Sequence, residues 1–193
     1  MYVGIDLGTS SVKAILIDTN QKILATAHST LNTHSPKDGF SEQNPEEWIE
    51  ATFNCFQQIN TKKPKEFSNL ISIGISGHMH GATLIDKSGN IIRPCILWND
   101  TRSYKECYEF ENQSFDVREI SGNIAMPGFT APKINWIKNN ELESFNKIFK
   151  ILLPKDYLRY YLTGELYSEM SDASGTLWLD IKKRKWSEKL LSC

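Results

Sequence analysis

No apolar run in the sequence approaches the ~20 residues that cross a bilayer as a helix, and the N-terminus lacks the basic-then-apolar pattern of a secretory leader. The chain is therefore expected to be soluble and cytoplasmic, with no membrane partner. An excess of charge of either sign is also missing. With 22 Lys and Arg against 23 Asp and Glu, no net field points to nucleic acid or to an anionic lipid surface. Paired cysteines are absent: Cys55, Cys95, Cys107 and Cys193 are widely scattered with no CxxC. That pattern suggests neither a zinc site nor a disulfide framework and reads as buried or inert thiols. Internal repeats, low-complexity tracts and linkers are lacking as well. What remains is 193 residues, 40% of them hydrophobic, enough for one ordinary globular domain with a real core.

Strand signals fill the first thirty residues. Tyr2 to Leu7, Val12 to Asp18 and "KILATAHST" are separated by short Gly, Thr, Ser and Asn turns, which predicts a meander of three antiparallel strands. After a loop, Asn44-Pro45-Glu46-Glu47 supplies an N-cap, a proline at the first helical position and acids in the first turn. A helix is expected there, with Trp48, Ala51, Thr52, Cys55, Phe56 and Ile59 forming one buried stripe at spacings of three and four. "LISIGIS" is the next strand, and "ATLIDKSGNIIRPCILWND" reads as two more strands around a Ser-Gly-Asn turn. Helical patterns occupy much of 101–163, where Gly164 suits a C-cap. An extended "GTLWLDI", a basic turn and a terminal helix close the chain. The sum is an α/β fold, a mixed sheet flanked by helices, in which ligands usually sit at strand ends and turns.

Two polar clusters occupy such ends. In the first, Asp6 is a lone carboxylate between apolar segments, and an isolated charge in an apolar sheet is expensive unless a cation, a proton or hydrogen-bond donors meet it. Gly8 lets a ligand approach the backbone, and Thr9, Ser10 and Ser11 offer hydroxyl and N–H groups to phosphate oxygens. Asp6 then has a natural partner in a hydrated Mg²⁺ riding on a nucleoside triphosphate. The plainer alternative is an Asp-Gly turn in which Asp6 caps backbone N–H groups. Neither GxxxxGK[ST] nor DxDxT is present. In the second cluster, Gly77-His78-Met79-His80-Gly81, the two histidines would point the same way on an extended strand. A metal pair, a satisfied structural histidine, and an imidazole that hydrogen-bonds a hydroxyl-rich ligand are the three readings. Trp98-Asn99-Asp100 adds an aromatic face and polar groups. If the first strand and "LISIGIS" are neighbours, both clusters open onto one cleft.

The segments "YVGIDLGTSSVKAILID", "SEQNPEEW", "GISGHMHGATLID", "RPCILWNDTR", "SGNIAMPGFTAPKINW", "LLPKDYLRYYLTGE" and "SDASGTLWLD" run in the order of the FGGY carbohydrate kinase family. The chain resembles the start of such a kinase, and "MHG" and "MPGFTAPK" look like its xylulose-specific branch. The resemblance implies a ribonuclease-H-like, actin-like fold of two domains around a cleft, and transfer of the ATP γ-phosphoryl group to D-xylulose or a related ketopentose. It places Asp6 at the Mg²⁺ and γ-phosphate site, Gly8, Thr9 and Ser10 in the phosphate-facing turn, and Met79, His80 and Gly81 against the ketose hydroxyls. Trp98, Asn99 and Asp100 fall on the sugar side. Where the family usually has Gln and Gly, this sequence has His78 and Thr101, both beside the sugar region.

The resemblance also implies that residues 1–193 are an incomplete first domain, with the general base and a second domain outside the chain. The isolated chain is then expected to be inactive. A non-catalytic sugar-binding fragment and an actin-like nucleotide module that binds protein partners are the alternative readings, and a homodimer stays open.

Overall fold

The computed structural model describes residues 1–193. Strands β1 (Tyr2–Leu7), β2 (Ser11–Ile17) and β3 (Ile23–Thr30) form the expected antiparallel meander. A short β4 (Glu42–Gln43) precedes α1 (Pro45–Lys62) and α2 (Pro64–Phe67), and β5 (Ser72–Gly77) then returns parallel to β1. The main sheet has the order β3-β2-β1-β5, so the first strand and "LISIGIS" are neighbours.

Alternation along the strands decides which face is covered. Val3, Ile5 and Leu7 of β1 and Val12, Ala14 and Leu16 of β2 are buried, as period two requires of residues on one face. Helix α1 packs on that face through Trp48, Ala51, Thr52, Cys55 and Ile59, all buried, with Phe56 partly so. Its start is fixed as the sequence predicts: the Asn44 side chain accepts the Glu46 N–H at 3.1 Å, and Pro45 opens the first turn.

The middle of the chain departs from the sequence reading. Strands β6 (Thr83–Ile85) and β7 (Cys95–Ile96) exist, and the Ser-Gly-Asn turn closes on a single Ile85–Ile91 bridge. They meet only through an isolated antiparallel Ala82–Ile96 bridge, with the Ala82 N–H donating to Ile96 O at 3.0 Å, and their continuous ladders run elsewhere: β6 pairs with β8 and β7 with β4. The intervening helices are α3 (Tyr104–Glu111), α4 (Val117–Ser121), α5 (Thr130–Asn140) and α6 (Leu142–Lys147), followed by β8 (Lys150–Leu152). Helix α7 (Pro154–Thr163) ends at Gly164, whose φ of 75° is the left-handed cap expected of glycine there. The short α8 (Met170–Ala173), a hairpin of β9 (Leu179–Asp180) and β10 (Lys185–Trp186), and α9 (Glu188–Leu191) complete the chain.

All four cysteines are free thiols. Cys55, Cys95 and Cys107 are buried, and burial raises the thiols of Cys95 and Cys107 to about 11 and about 12. No helix is long and apolar enough to cross a membrane.

Candidate active site

The ends of β1 and β5 meet. Leu7 lies in register with Gly77, and the His78 N–H donates to the Leu7 carbonyl at 2.8 Å. This ladder places the turn after β1 directly beside the loop after β5.

In the first turn Asp6 is exposed, which corrects the expectation of a carboxylate inside an apolar sheet. The reason is parity: Asp6 shares the outward face with Tyr2 and Gly4, while Ile5 and Leu7 point into the core. No ion pair or hydrogen bond engages its side chain, so the capping alternative is not realised. Gly8 closes the turn by donating its N–H to Ser11 O at 3.0 Å, and a Cβ there would stand 3.0 Å from that oxygen. The Thr9 carbonyl accepts from Gln43 Nε2 at 2.6 Å, and its hydroxyl accepts from Trp98 Nε1 at 3.0 Å. That hydroxyl keeps its own proton free to donate. Ser10 is exposed at the tip.

The second loop is not extended. Gly81 donates its N–H to Met79 O at 2.8 Å across His80, whose φ is +65°. This is a γ-turn of the rare positive-φ kind, strained for any residue with a Cβ. The two histidines therefore do not share a strand face. His78 is buried against the Trp48 ring, 5.4 Å between centroids, and neither of its ring nitrogens has a protein partner. A satisfied structural histidine is thus not what the structure shows. Half-buried His80 stacks on Phe129 at 4.4 Å, and its ring fills the space where a Cβ on Gly175 would sit, 2.4 Å away. Burial, with a smaller contribution from the Lys133 charge, lowers both imidazoles to about 4. Both are neutral near pH 7, with one donor and one acceptor nitrogen each. Met79 is 42% exposed. Gly81 is packed so closely that a Cβ would come within 2.5 Å of Pro154 Cγ.

Trp98 and Asn99 are exposed at the rim. Asp100 lies beneath them, 1% exposed. Its carboxylate accepts from the Ser41 N–H at 2.6 Å, from the Arg102 N–H and Nε at 2.9 Å, and from Arg102 Nη2 at 2.7 Å. Arg102 also pairs with Glu42 at 2.7 Å and is held between the rings of Phe40 and Trp136. Asp100 is thereby placed in the scaffold under the Trp98–Asn99 turn, and its oxygens are already occupied by protein donors. Thr101 caps a different contact, donating its hydroxyl to Gly39 O at 3.2 Å.

A family model described as the FGGY family of carbohydrate kinases, N-terminal domain, matches residues 1–193. The chain belongs to the FGGY family of carbohydrate kinases. It is 47% identical over 192 residues to the xylulose kinase of Klebsiella pneumoniae, covering 100% of this chain and 39% of that protein. The crystal structure of a xyloylose kinase from Brucella ovis superposes with a TM-score of 0.96 at 52% identity, over 99% of this chain and 40% of the other. The xylulose kinase from Rhodospirillum rubrum gives 0.93 at 25% identity, over 98% and 39%. The mixed sheet flanked by helices is therefore the actin-like, ribonuclease-H-like fold that the sequence resemblance implied. This FGGY chain spans about 40% of the length of the relatives it matches.

Two further residues of this FGGY domain escaped the sequence reading. Lys13 stands opposite Asp6 in the β1–β2 register and is exposed on the same face. Its signal was available, since a charged residue within an otherwise apolar second strand marks the outward parity. Lys133 on α5 is completely buried, and its Nζ donates to the His80 carbonyl at 2.9 Å. Nothing in helical periodicity separates such a lysine from one on a solvated face.

Proposed function

We propose that the chain supplies the sugar wall and the phosphate-facing turn of a kinase that moves the ATP γ-phosphoryl group to the 5-hydroxyl of D-xylulose. The observation that carries this reading is the pairing of Leu7 with Gly77, which sets the Asp6 turn and the His80 loop side by side, with the Trp98 rim tied to the same turn by its hydrogen bond to Thr9. One side of the cleft then offers hydroxyls and N–H groups to a phosphate, and the other offers a neutral imidazole to a hydroxyl.

Met79, His80 and Gly81 would face the ketose, with Trp98 and Asn99 at its rim and Asp100 holding that rim in place. Gly8, Thr9 and Ser10 would approach the γ-phosphate, and Lys13 would add a cation on the same face. Asp6 fits Mg²⁺: it is an exposed carboxylate with no protein cation or donor on it, and Mg²⁺ bound to a nucleotide usually takes only one or two carboxylates. No group of three or more His, Cys, Asp or Glu converges elsewhere as a metal site. When bound, the ion would neutralise charge on the phosphoryl oxygens. The proton acceptor for the sugar hydroxyl is proposed to lie in a second domain outside these residues. The lowered pKa of His80 matters here because an imidazolium could only donate, whereas a neutral ring can also accept from a sugar hydroxyl.

Calorimetric titration of the chain with D-xylulose, alongside D-ribulose and glycerol, tests the reading. Binding of D-xylulose that is weakened in His80→Ala by roughly 1 to 3 kcal/mol is expected. Absence of any ketopentose binding, or equal loss of sugar and ATP binding in the variant, would refute it.

A further inference from the structure

We propose that Lys133 is a positioning residue that clamps the strained backbone of His80 and so aims the imidazole into the sugar cleft. The inference rests on the sugar-side reading of His80 given above.

The γ-turn at His80 needs something to hold it. A positive φ at a residue with a Cβ persists only where surrounding contacts over-determine it. Those contacts are present, and they converge on one atom. The His80 carbonyl accepts from Lys133 Nζ at 2.9 Å and from Thr130 Oγ1 at 3.1 Å, both from the first turn of α5. On the other side of the same peptide, Gly81 is wedged against Pro154 and Cys95. The ring of His80 is meanwhile confined between Phe129 and Gly175. Backbone and side chain are thus fixed from independent directions.

Lys133 is poorly explained as a stabilising residue. It is fully buried, and no carboxylate pairs with it: the ion pairs nearby join Arg102 to Asp100 and Glu42. Its one hydrogen-bond acceptor is a carbonyl that it shares. A buried ammonium with so little compensation is costly, and burial brings its pKa down to about 7 against the weak opposing pull of Cys95 and Asp100, with Arg102 pushing the same way as burial. His78 and His80, the other titratable groups facing it, are neutral at that pH. A residue retained at such a cost in this place is accounted for by the geometry it imposes. Charged or neutral, the amine still donates to the His80 carbonyl.

The test uses Lys133→Met, which keeps the volume and removes the donor, and Thr130→Val, which removes the second donor without touching a charge. Hydrogen exchange at the Gly81 amide reports the γ-turn, and the His78 amide, bonded to Leu7 in the sheet, serves as an internal control. Exchange at Gly81 is expected to rise by about tenfold or more in Lys133→Met and by less in Thr130→Val, with His78 unchanged. The dissociation constant for D-xylulose should rise by about tenfold in Lys133→Met, while the melting temperature stays at or above that of the wild type. Unchanged Gly81 exchange in both variants, or a uniform rise across the chain, overturns the clamp. If Lys133→Met does not fold, Thr130→Val decides by the same amide. A wild-type chain that fails to bind D-xylulose would refute the sugar reading, and the exchange arm would still decide whether Lys133 holds the turn.

Discussion

His78 carries two ring nitrogens without protein partners in a buried site beside Trp48, and this makes stability respond to acid. Its pKa falls from 6.5 to about 4 on folding, as does that of His80, chiefly through burial. Between those values the unfolded chain binds more protons than the folded one. Stability from this source is therefore complete above about pH 6.5 and declines as the pH falls toward about 4. Urea unfolding at intervals across that window should show the decline, and His78→Gln should lessen it, leaving the part that His80 carries; equal slopes for the variant and the wild type would remove His78 from the account. Asp6 gives the opposite expectation. Exposed and unpaired, it can be replaced by Asn with no measurable change in unfolding free energy, while Mg²⁺-dependent ATP binding is lost; a marked loss of stability would show a structural role instead. Asp6 was legible as a candidate ligand-site residue because a carboxylate beside Gly-Thr-Ser-Ser is chemically conspicuous. Its exposure was not deduced, although the alternation Ile5-Asp6-Leu7 contains it.

Among the elements, the start and buried stripe of α1 were readable because their signals are local: a capping Asn44, a proline at the first position and an apolar stripe at helical period. Asn44→Ala should cost about 1 kcal/mol, the usual loss for an N-cap side chain, read from denaturant midpoints. The two strands between 83 and 96 are where they were expected, but their main partners were not legible, for the converse reason. Each is two or three residues long and finds its partner in a distant segment, β8 or β4, so no local pattern reveals the pairing. The same non-local packing explains Gly81. A Cβ there would meet Pro154 Cγ at 2.5 Å and Cys95 Sγ at 3.0 Å, so α7 and β7 would have to move apart. Gly81→Ala is expected to destabilise by about 1 to 3 kcal/mol, as overpacking typically does, and to weaken sugar binding as well. A variant with normal stability and affinity would mean that this contact is softer than the geometry indicates.

For the whole molecule, the two polar clusters could be named from the sequence, but their meeting depends on β5 lying parallel to β1 across the entire α1 crossover. A second consequence of that topology concerns what the sheet leaves uncovered. Strand β5 is at the end of the order β3-β2-β1-β5, with one ladder of N–H and C=O groups unpaired. Ile73 is 39% exposed on it, and Ile71 just before it 68%. A parallel edge with part-exposed Ile73 and no lysine along Ser72–Gly77 lacks the charge that normally discourages edge-to-edge pairing. The 193-residue chain should therefore self-associate through β5 as its concentration rises, which sedimentation velocity would detect as a growing weight-average coefficient. Ile73→Lys places a charge on that edge, and because the position is already part-exposed, the fold should survive it. If the variant associates as strongly as the wild type, the contact lies elsewhere; if it is monomeric, the sheet edge is the surface that a further strand, from another copy or from more of the same protein, would cover.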